Sequence, residues 1–242
     1  MDQLTINAAS GLRARLEAIE MLANNLANVS AAGYKVDRES YSLYAAPEAD
    51  GVISQLPVVE TQWTDFAQGT LTPTGNWSDL ALSGGGFFVV QAPGGALYTR
   101  NGAFRLSGDG RLETLQGYAV RGVGGAPITV DPAYPVEVTL EGAVLQQGRE
   151  VGRLELAEIS PPRALIKQDG LYFRLNRPDG AVVRPAAAQV HQGVLESSNV
   201  VAPESAVRMI SLMRQFEMLQ RAIALGAEMN RRGVEEVARV NS

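Results

Sequence analysis

The 242-residue chain has no cysteine and a single histidine, His191. The first absence excludes disulfides, thiolate metal centres, iron–sulfur clusters and thiol nucleophiles. The second argues against a His-based triad or a multi-His zinc site. Lysine is nearly missing too: Lys35 and Lys167 are the only ones, and the arginines are scattered. With a net charge of −5 and no basic run, the chain lacks the means to neutralise nucleic-acid phosphates. No apolar run approaches the ~18–20 residues that span a bilayer, so direct membrane insertion is not expected. The opening MDQLTINAAS carries an early acid and no basic stretch before an apolar core, and no cleaved secretory signal is expected.

Proline and glycine are unevenly distributed. All 12 prolines lie between Pro47 and Pro203, and 19 of the 25 glycines lie between Gly75 and Gly193. Both residues disfavour helix, so the ends read as helical and the middle as turn-rich β structure. Leu12, Leu16, Ile19, Leu22, Leu26 and Val29 recur at spacings of three and four, with Arg13, Arg15, Glu17 and Glu20 between them, which predicts an amphipathic helix over about Leu4–Val29. Met209, Leu212, Phe216, Leu219, Ile223 and Gly226 repeat the spacing at the other end, predicting a helix from Pro203 to about Arg239 with an interruption at Gly233. Ser197, Ser198 and Asn199 are its candidate caps.

In the centre, strand-like runs are Leu80–Leu82, Phe87–Val90, Ala96–Thr99, Tyr118–Arg121, Val136–Leu140, Leu154–Ile159 and Leu171–Leu175. Turn signals stand at Gly84–Gly85–Gly86, Pro93–Gly94–Gly95, Ser107–Gly110 and Pro178–Asp179–Gly180. Ala45–Asp50 reads as loop and Val58–Gly69 as a possible strand. The expected fold is α+β: N- and C-terminal helices paired in a coiled-coil-like helical domain, with a mainly antiparallel β domain inserted between them. The boundaries are an N-terminal helix over 1–34, an extended connection over 35–75, a β-rich domain over 76–195 and a C-terminal helix over 196–242. Isolated helices are marginal in water, so apolar stripes at both ends point toward burial against each other and against further copies.

No constellation carries evident chemistry. Gly84–Gly86 and Gly122–Gly125 lack a following Lys–Ser/Thr and read as turns, not phosphate cradles. Asp65, Asp79, Asp109, Glu113, Asp131, Glu155 and Glu158 are scattered, and Asp79 fits a turn before Leu80. An aromatic band of Trp63, Phe66, Trp77, Phe87, Phe88, Tyr98 and Phe104 reads first as core. With convergent acids it also leaves open a cell-wall carbohydrate-active enzyme or sugar-binding module, which requires two carboxylates ~5–10 Å apart. His191 has no neighbouring ligand. No metal, cofactor, nucleic acid or small-molecule substrate is expected.

Four stretches taken in order carry a resemblance: Ala23–Asn24–Asn25–Leu26–Ala27–Asn28 running into Gly33–Tyr34–Lys35; Leu80–Val90 continuing to Tyr98–Phe104; Gly193–Val200; and Arg214–Met218. Together the chain resembles the bacterial flagellar rod, hook and hook-associated axial proteins from end to end. Its length, the short stretch 36–79 and the segments Gly152–Leu156 and Gly170–Leu175 are most similar to the proximal-rod F-type, with distal-rod and hook types as alternatives. The resemblance implies a non-enzymatic subunit of the drive shaft that crosses the periplasm and transmits torque. Its partners would be copies of itself and other proximal- and distal-rod subunits, and it would leave the cytoplasm through the flagellar type III export apparatus. The implied assembly interface comprises Leu12, Leu16, Ile19, Leu22, Asn24, Asn25, Leu26 and Asn28 with Met209, Leu212, Phe216, Leu219 and Ile223. The family-motif positions of the turns and β domain are Gly33, Tyr34, Gly84, Gly85, Gly86, Phe87, Phe88, Tyr98, Arg100, Gly102 and Phe104.

Overall fold

A computed structural model describes residues 3–47, 53–176 and 181–240. The fold is α+β: two long helices, α1 (Gln3–Ala27) and α2 (Ala202–Val240), enclose a chain of antiparallel strands in sequence. Two compact units result. One gathers residues 1–27, 37–63 and 201–242; the other gathers 28–36 and 64–200. No helix among the described residues is long and apolar enough to cross a membrane.

The β unit is organised by the strand Phe87–Ala92, within a nine-stranded antiparallel sheet. It pairs with Gly95–Thr99, with Ala119–Val120 and with Leu156–Ser160. Side chains of a strand alternate between faces, and here both faces are covered. Phe88, Val90 and Ala92 enter one core with Leu80, Leu82, Phe104, Val120 and Leu154. Phe87 and Val89 enter a second with Tyr98, Ile159, Leu165 and Phe173. A continuous apolar run replaces alternation because neither face meets water. Phe66 closes the second core edge-on, its ring centroid 5.4 Å from Phe87 and 5.0 Å from Phe173. These rings account for most of the aromatic band; Trp63 and Trp77 stand exposed.

Gly102 shows how closely the backbone packs. A Cβ built there lies 1.7 Å from the Leu80 carbonyl oxygen, so a side chain at this position forces the strands apart. Asp79 does organise the turn before Leu80: its carboxylate accepts from Thr74 Oγ1 at 2.7 Å and from Asn76 Nδ2 at 3.2 Å.

Several expectations are corrected. Ala45–Pro47 belong to the strand Asp37–Pro47 and not to a loop, while residues 48–50 lie outside the described residues. The strand placed at Val58–Gly69 runs instead over Ile53–Thr64 and pairs with Asp37–Pro47. The helix continues unbroken past Gly233, since one glycine weakens a long helix by only about 1 kcal/mol. The turn at Pro178–Asp179–Gly180 lies outside the described residues.

In denaturant unfolding, Phe88→Ala removes a fully buried ring and is expected to cost the β unit about 3–5 kcal/mol. Val183→Thr, on the exposed strand Val182–Pro185, changes stability by less than about 0.5 kcal/mol. Equal losses from the two would contradict the placement of the core.

Candidate functional site

The residues singled out by sequence fall into two groups, one in each unit. In the helical unit, among the residues of α1 whose burial is described, Gly11, Ala14, Ala18, Met21, Leu22 and Asn25 are buried. Ala18, Met21 and Leu22 form a buried cluster with Leu212 of α2, and Ile19 and Met209 pack against it. Opposite Gly11, a built Cβ comes to 3.6 Å from Leu219 Cδ1, an ordinary contact. The covered face is therefore rotated about a quarter of a turn from the leucine stripe read from the sequence. Small side chains at 11, 14 and 18 let helices approach closely, which a leucine face does not. Leu16 is 47% exposed as a result, and Leu12 and Leu26 are half-buried. In α2, Leu212 is buried and Met209, Phe216, Leu219 and Ile223 are half-buried, on one face as the spacing predicts.

Of the asparagines, Asn24 lies on the surface, Asn28 is half-buried and Asn25 is fully buried. Asn25 Nδ2 donates to the Asp37 carbonyl at 2.8 Å, and its Oδ1 accepts from the Asp37 amide at 3.0 Å. This side chain thus supplies both halves of a backbone-like pairing to the first residue of a strand.

The second group surrounds an ionic cluster in the β unit that sequence reasoning did not single out. Glu196 ends the strand Val194–Glu196 and is fully buried. Its Oε1 accepts from Lys35 Nζ and from the Gly69 amide, the latter at 2.8 Å. Its Oε2 accepts from Arg100 Nη1 at 3.3 Å. Lys35, also fully buried, donates in addition to the Ala67 carbonyl at 2.7 Å, and Arg100 Nη2 donates to the Gly84 carbonyl at 2.6 Å. Arg100 Nε is buried without a hydrogen-bond partner, and the guanidinium lies 5.5 Å from the centroid of the Phe87 ring. Burial pushes the Lys35 ammonium below the ordinary lysine value of 10.5, with Glu196 pulling it back up; burial likewise lowers Arg100.

Gly33, with φ +68°, lets the chain pass against Arg100 and Asn101, where a Cβ would sit 2.3 Å from backbone atoms. Tyr34 is buried beneath the second lysine, Lys167, whose Nζ lies 4.2 Å from the ring centroid and donates to the Lys35 carbonyl at 2.6 Å. Asn199, expected as a helix cap, instead bridges: Oδ1 accepts from the Val36 amide, and Nδ2 donates to the Asp65 and Ala67 carbonyls. Among the remaining motif positions, Phe87, Phe88, Tyr98 and Phe104 are core, Gly86 and Gly102 are buried, and Gly84 and Gly85 form an exposed turn. Lys35, Lys167, Glu196 and Asn199 were missed as site residues. The available signal was that both lysines of an arginine-rich chain are spent here.

This geometry is that of a scaffold, with its charged groups buried against one another. A surface cleft of about 320 Å³ beside Trp77 and Tyr134 is lined by one carboxylate, Asp131, whose Oδ1 accepts from the Ala133 amide. Glycoside hydrolysis calls for two carboxyl groups.

Comparison with known proteins gives the class, then the family. Residues 7–35 match the family described as "Flagella basal body rod protein", 81–148 the "Flagellar hook protein FlgE/F/G D1 domain", and 191–235 the "Flagellar basal body rod FlgEFG protein C-terminal". The chain is 35% identical to the flagellar basal-body rod protein FlgF of Caulobacter vibrioides, covering 92% of this chain and 93% of that one. It is 34% identical to FlgF of Salmonella typhimurium over 92% and 93%, and 31% identical to the rod protein FlgG of Agrobacterium fabrum over 92% and 94%. The fold and its buried scaffold are thus those of a structural, non-enzymatic subunit. The chain belongs to the flagellar basal-body rod protein family, as a FlgF-type member.

The cluster holds two cations and one anion, which makes its substitutions unequal. Lys35→Met leaves one Arg100–Glu196 pair, whereas Glu196→Gln leaves two buried cations without a counter-charge. Breaking a buried pair costs about 3–5 kcal/mol, and Glu196→Gln is expected at or beyond the top of that range, Lys35→Met at or below its foot. Urea midpoints check the order. A second expectation follows from the lowered Lys35 pKa. Below the folded value both states carry the proton. Between that value and 10.5 the unfolded chain binds more protons, so this group's contribution to stability rises with pH. The stability gap between wild type and Lys35→Met should widen from pH 7 toward pH 10.5; a narrowing gap would mean the folded pKa is raised.

Proposed function

We propose that the chain is a self-assembling subunit of the proximal rod, part of a helical drive shaft that carries torque across the periplasm. In this reading α1 and α2 act as a paired, coiled-coil-like axial core, and the exposed members of the implied interface, Leu16 and Asn24, meet neighbouring copies and other rod subunits together with the open face of α2. Delivery through the flagellar type III export apparatus, without a cleaved signal, belongs to the same proposal.

The observation that supports it most directly is the character of α2. Leu212, Phe216, Leu219 and Ile223 share one face and are wholly or half-buried. Val207, Met218, Leu225 and Met229 are 60–73% exposed and lie within about 40° of one another around the helix axis, on the opposite side. A surface helix ordinarily presents one apolar stripe and one polar one. A helix apolar on two opposed faces is built to be sandwiched, with one face inside its own unit and the other against another molecule. On α1, Leu16 is a further exposed apolar side chain. Helical growth requires head-to-tail contacts between unlike surfaces, and the open face of α2 would supply one of them.

The double variant Met218→Glu/Leu225→Glu touches only exposed positions. It should leave the secondary structure and unfolding midpoint of the purified protein unchanged while abolishing swimming and rod completion in a strain relying on it. Normal motility with that variant would sink the assembly role of this face.

A further inference from the structure

The chain first leaves the helical unit through residues 28–36 and makes its last return to it through residues 193–200, both segments lying within the β unit. These crossings are 160 residues apart in sequence yet bonded directly to each other. The Gly33 amide donates to the Glu196 carbonyl at 2.7 Å, and the Asn199 amide to the Tyr34 carbonyl at 3.4 Å. Asn199 Oδ1 accepts from the Val36 amide at 2.8 Å, and Lys35 meets Glu196. Both crossings also hold one further segment: Val36 accepts from the Asp65 amide, Lys35 and Asn199 both donate to the Ala67 carbonyl, and Glu196 accepts from Gly69.

We propose that these contacts form a two-strand clamp in which the outgoing and returning crossings open together or not at all. The reason lies in what each half leaves behind. If residues 28–36 open alone, Glu196 loses one of its two cations and Asn199 loses Val36 as a donor. If residues 193–200 open alone, Lys35 and Arg100 remain as like charges facing each other without their carboxylate, in a site that excludes water. Opening residues 193–200 alone strands two like charges, which is the expensive state, while opening residues 28–36 alone leaves Glu196 with Arg100 as its one cation and breaks the backbone and Asn199 bonds that join the two crossings. Opening the second crossing after the first costs little more, because its partners are already gone. Local opening of proteins occurs in such contiguous cooperative units. The consequence is that a pull arriving through either crossing is resisted by both. The mechanical use of that property rests on the torque-carrying reading above; the clamp itself does not.

Amide hydrogen exchange on the full-length protein tests the clamp without recourse to motility. Lys35→Met is placed in the outgoing crossing and read in the returning one; Asn199→Ala is placed in the returning crossing and read in the outgoing one. Coupling free energy is reciprocal, so each variant should accelerate exchange about tenfold or more in both segments, by factors agreeing within about threefold. The strands Phe87–Ala92 and Gly95–Thr99 should keep their protection. Acceleration confined to the substituted crossing would overturn the proposal, as would no acceleration in either. If Lys35→Met unfolds the whole β unit, Asn199→Ala decides. Loss of protection in the control strands with that variant as well would mean that the crossings have no opening of their own, and the clamp would be abandoned.

Discussion

A carboxylate removed from water demands compensation, and the Glu196 carboxylate receives it from three places in the sequence. Lys35 lies before the main sheet, Gly69 just ahead of its first strands, and Arg100 within it. No local arrangement around Glu196 could supply those donors. The unit must bring residues 33–36, 65–69, 100 and 196–199 to one point or bury an uncompensated charge, which costs several kcal/mol per ion. This makes the cluster a device of register more than of raw stability. A hydrophobic replacement of similar volume can fill such a space equally well, but does not specify which segments meet there. The two cations also divide their tasks. Lys35 is a compact point charge with donors to spare for the Ala67 carbonyl, while the planar Arg100 spans from Glu196 to Gly84 and lies beside the Phe87 ring.

From that point the β unit follows by packing. The run Phe87–Phe88–Val89–Val90 divides its side chains between two cores, so the strand is held from both sides and the sheet extends from it. Close approach is secured by missing side chains: at Gly102 against Leu80, and at Gly33 against Arg100 and Asn101. The helical unit instead covers small residues, Gly11, Ala14 and Ala18, with ordinary contacts, a Cβ at Gly11 standing 3.6 Å from Leu219 Cδ1. In both units the motif glycines and alanines matter for the space they leave, and the larger residues nearby occupy it.

The sequence disclosed most where a single period ran for many residues. Both helices were legible within a few residues of their ends, because heptad-like spacing over twenty residues has few competing explanations. The double-faced strand Phe87–Ala92 and its glycine turn were legible for a different reason, being apolar and sharply bounded. Short strands such as Leu112–Thr114 and Ala143–Gln146 were not, since three or four residues carry no measurable period and are defined by their partners. The covered face of α1 was misjudged because periodicity finds the largest residues, whereas close helix contact selects the smallest. The ionic cluster was hidden for a more general reason. A buried Lys35 and a surface lysine look alike in sequence, and only tertiary structure reveals that Glu196, 161 positions later, shares its site. Asn199 was mistaken for a cap because its type and its place before α2 satisfy the local rule, while its actual bonds go to Val36, Asp65 and Ala67.

The unequal treatment of charge and grease across the chain then has a physical logic. A contact that must hold within every subunit, through assembly and use, is built here from buried ions, whose geometry admits few alternatives. A contact that must form between subunits cannot be built that way, because exposed ion pairs contribute little and weaken with salt. Apolar surface suits that task, since its association is largely insensitive to salt and scales with the area removed from water. On the proposed assembly reading, the open face of α2, with Val207, Met218, Leu225 and Met229, would supply such surface, and its unbranched methionines can fill irregular gaps that leucine would leave. The two kinds of contact are therefore kept apart. The ionic cluster lies in the β unit, beside the strands whose register it sets, while the apolar faces lie on the helices.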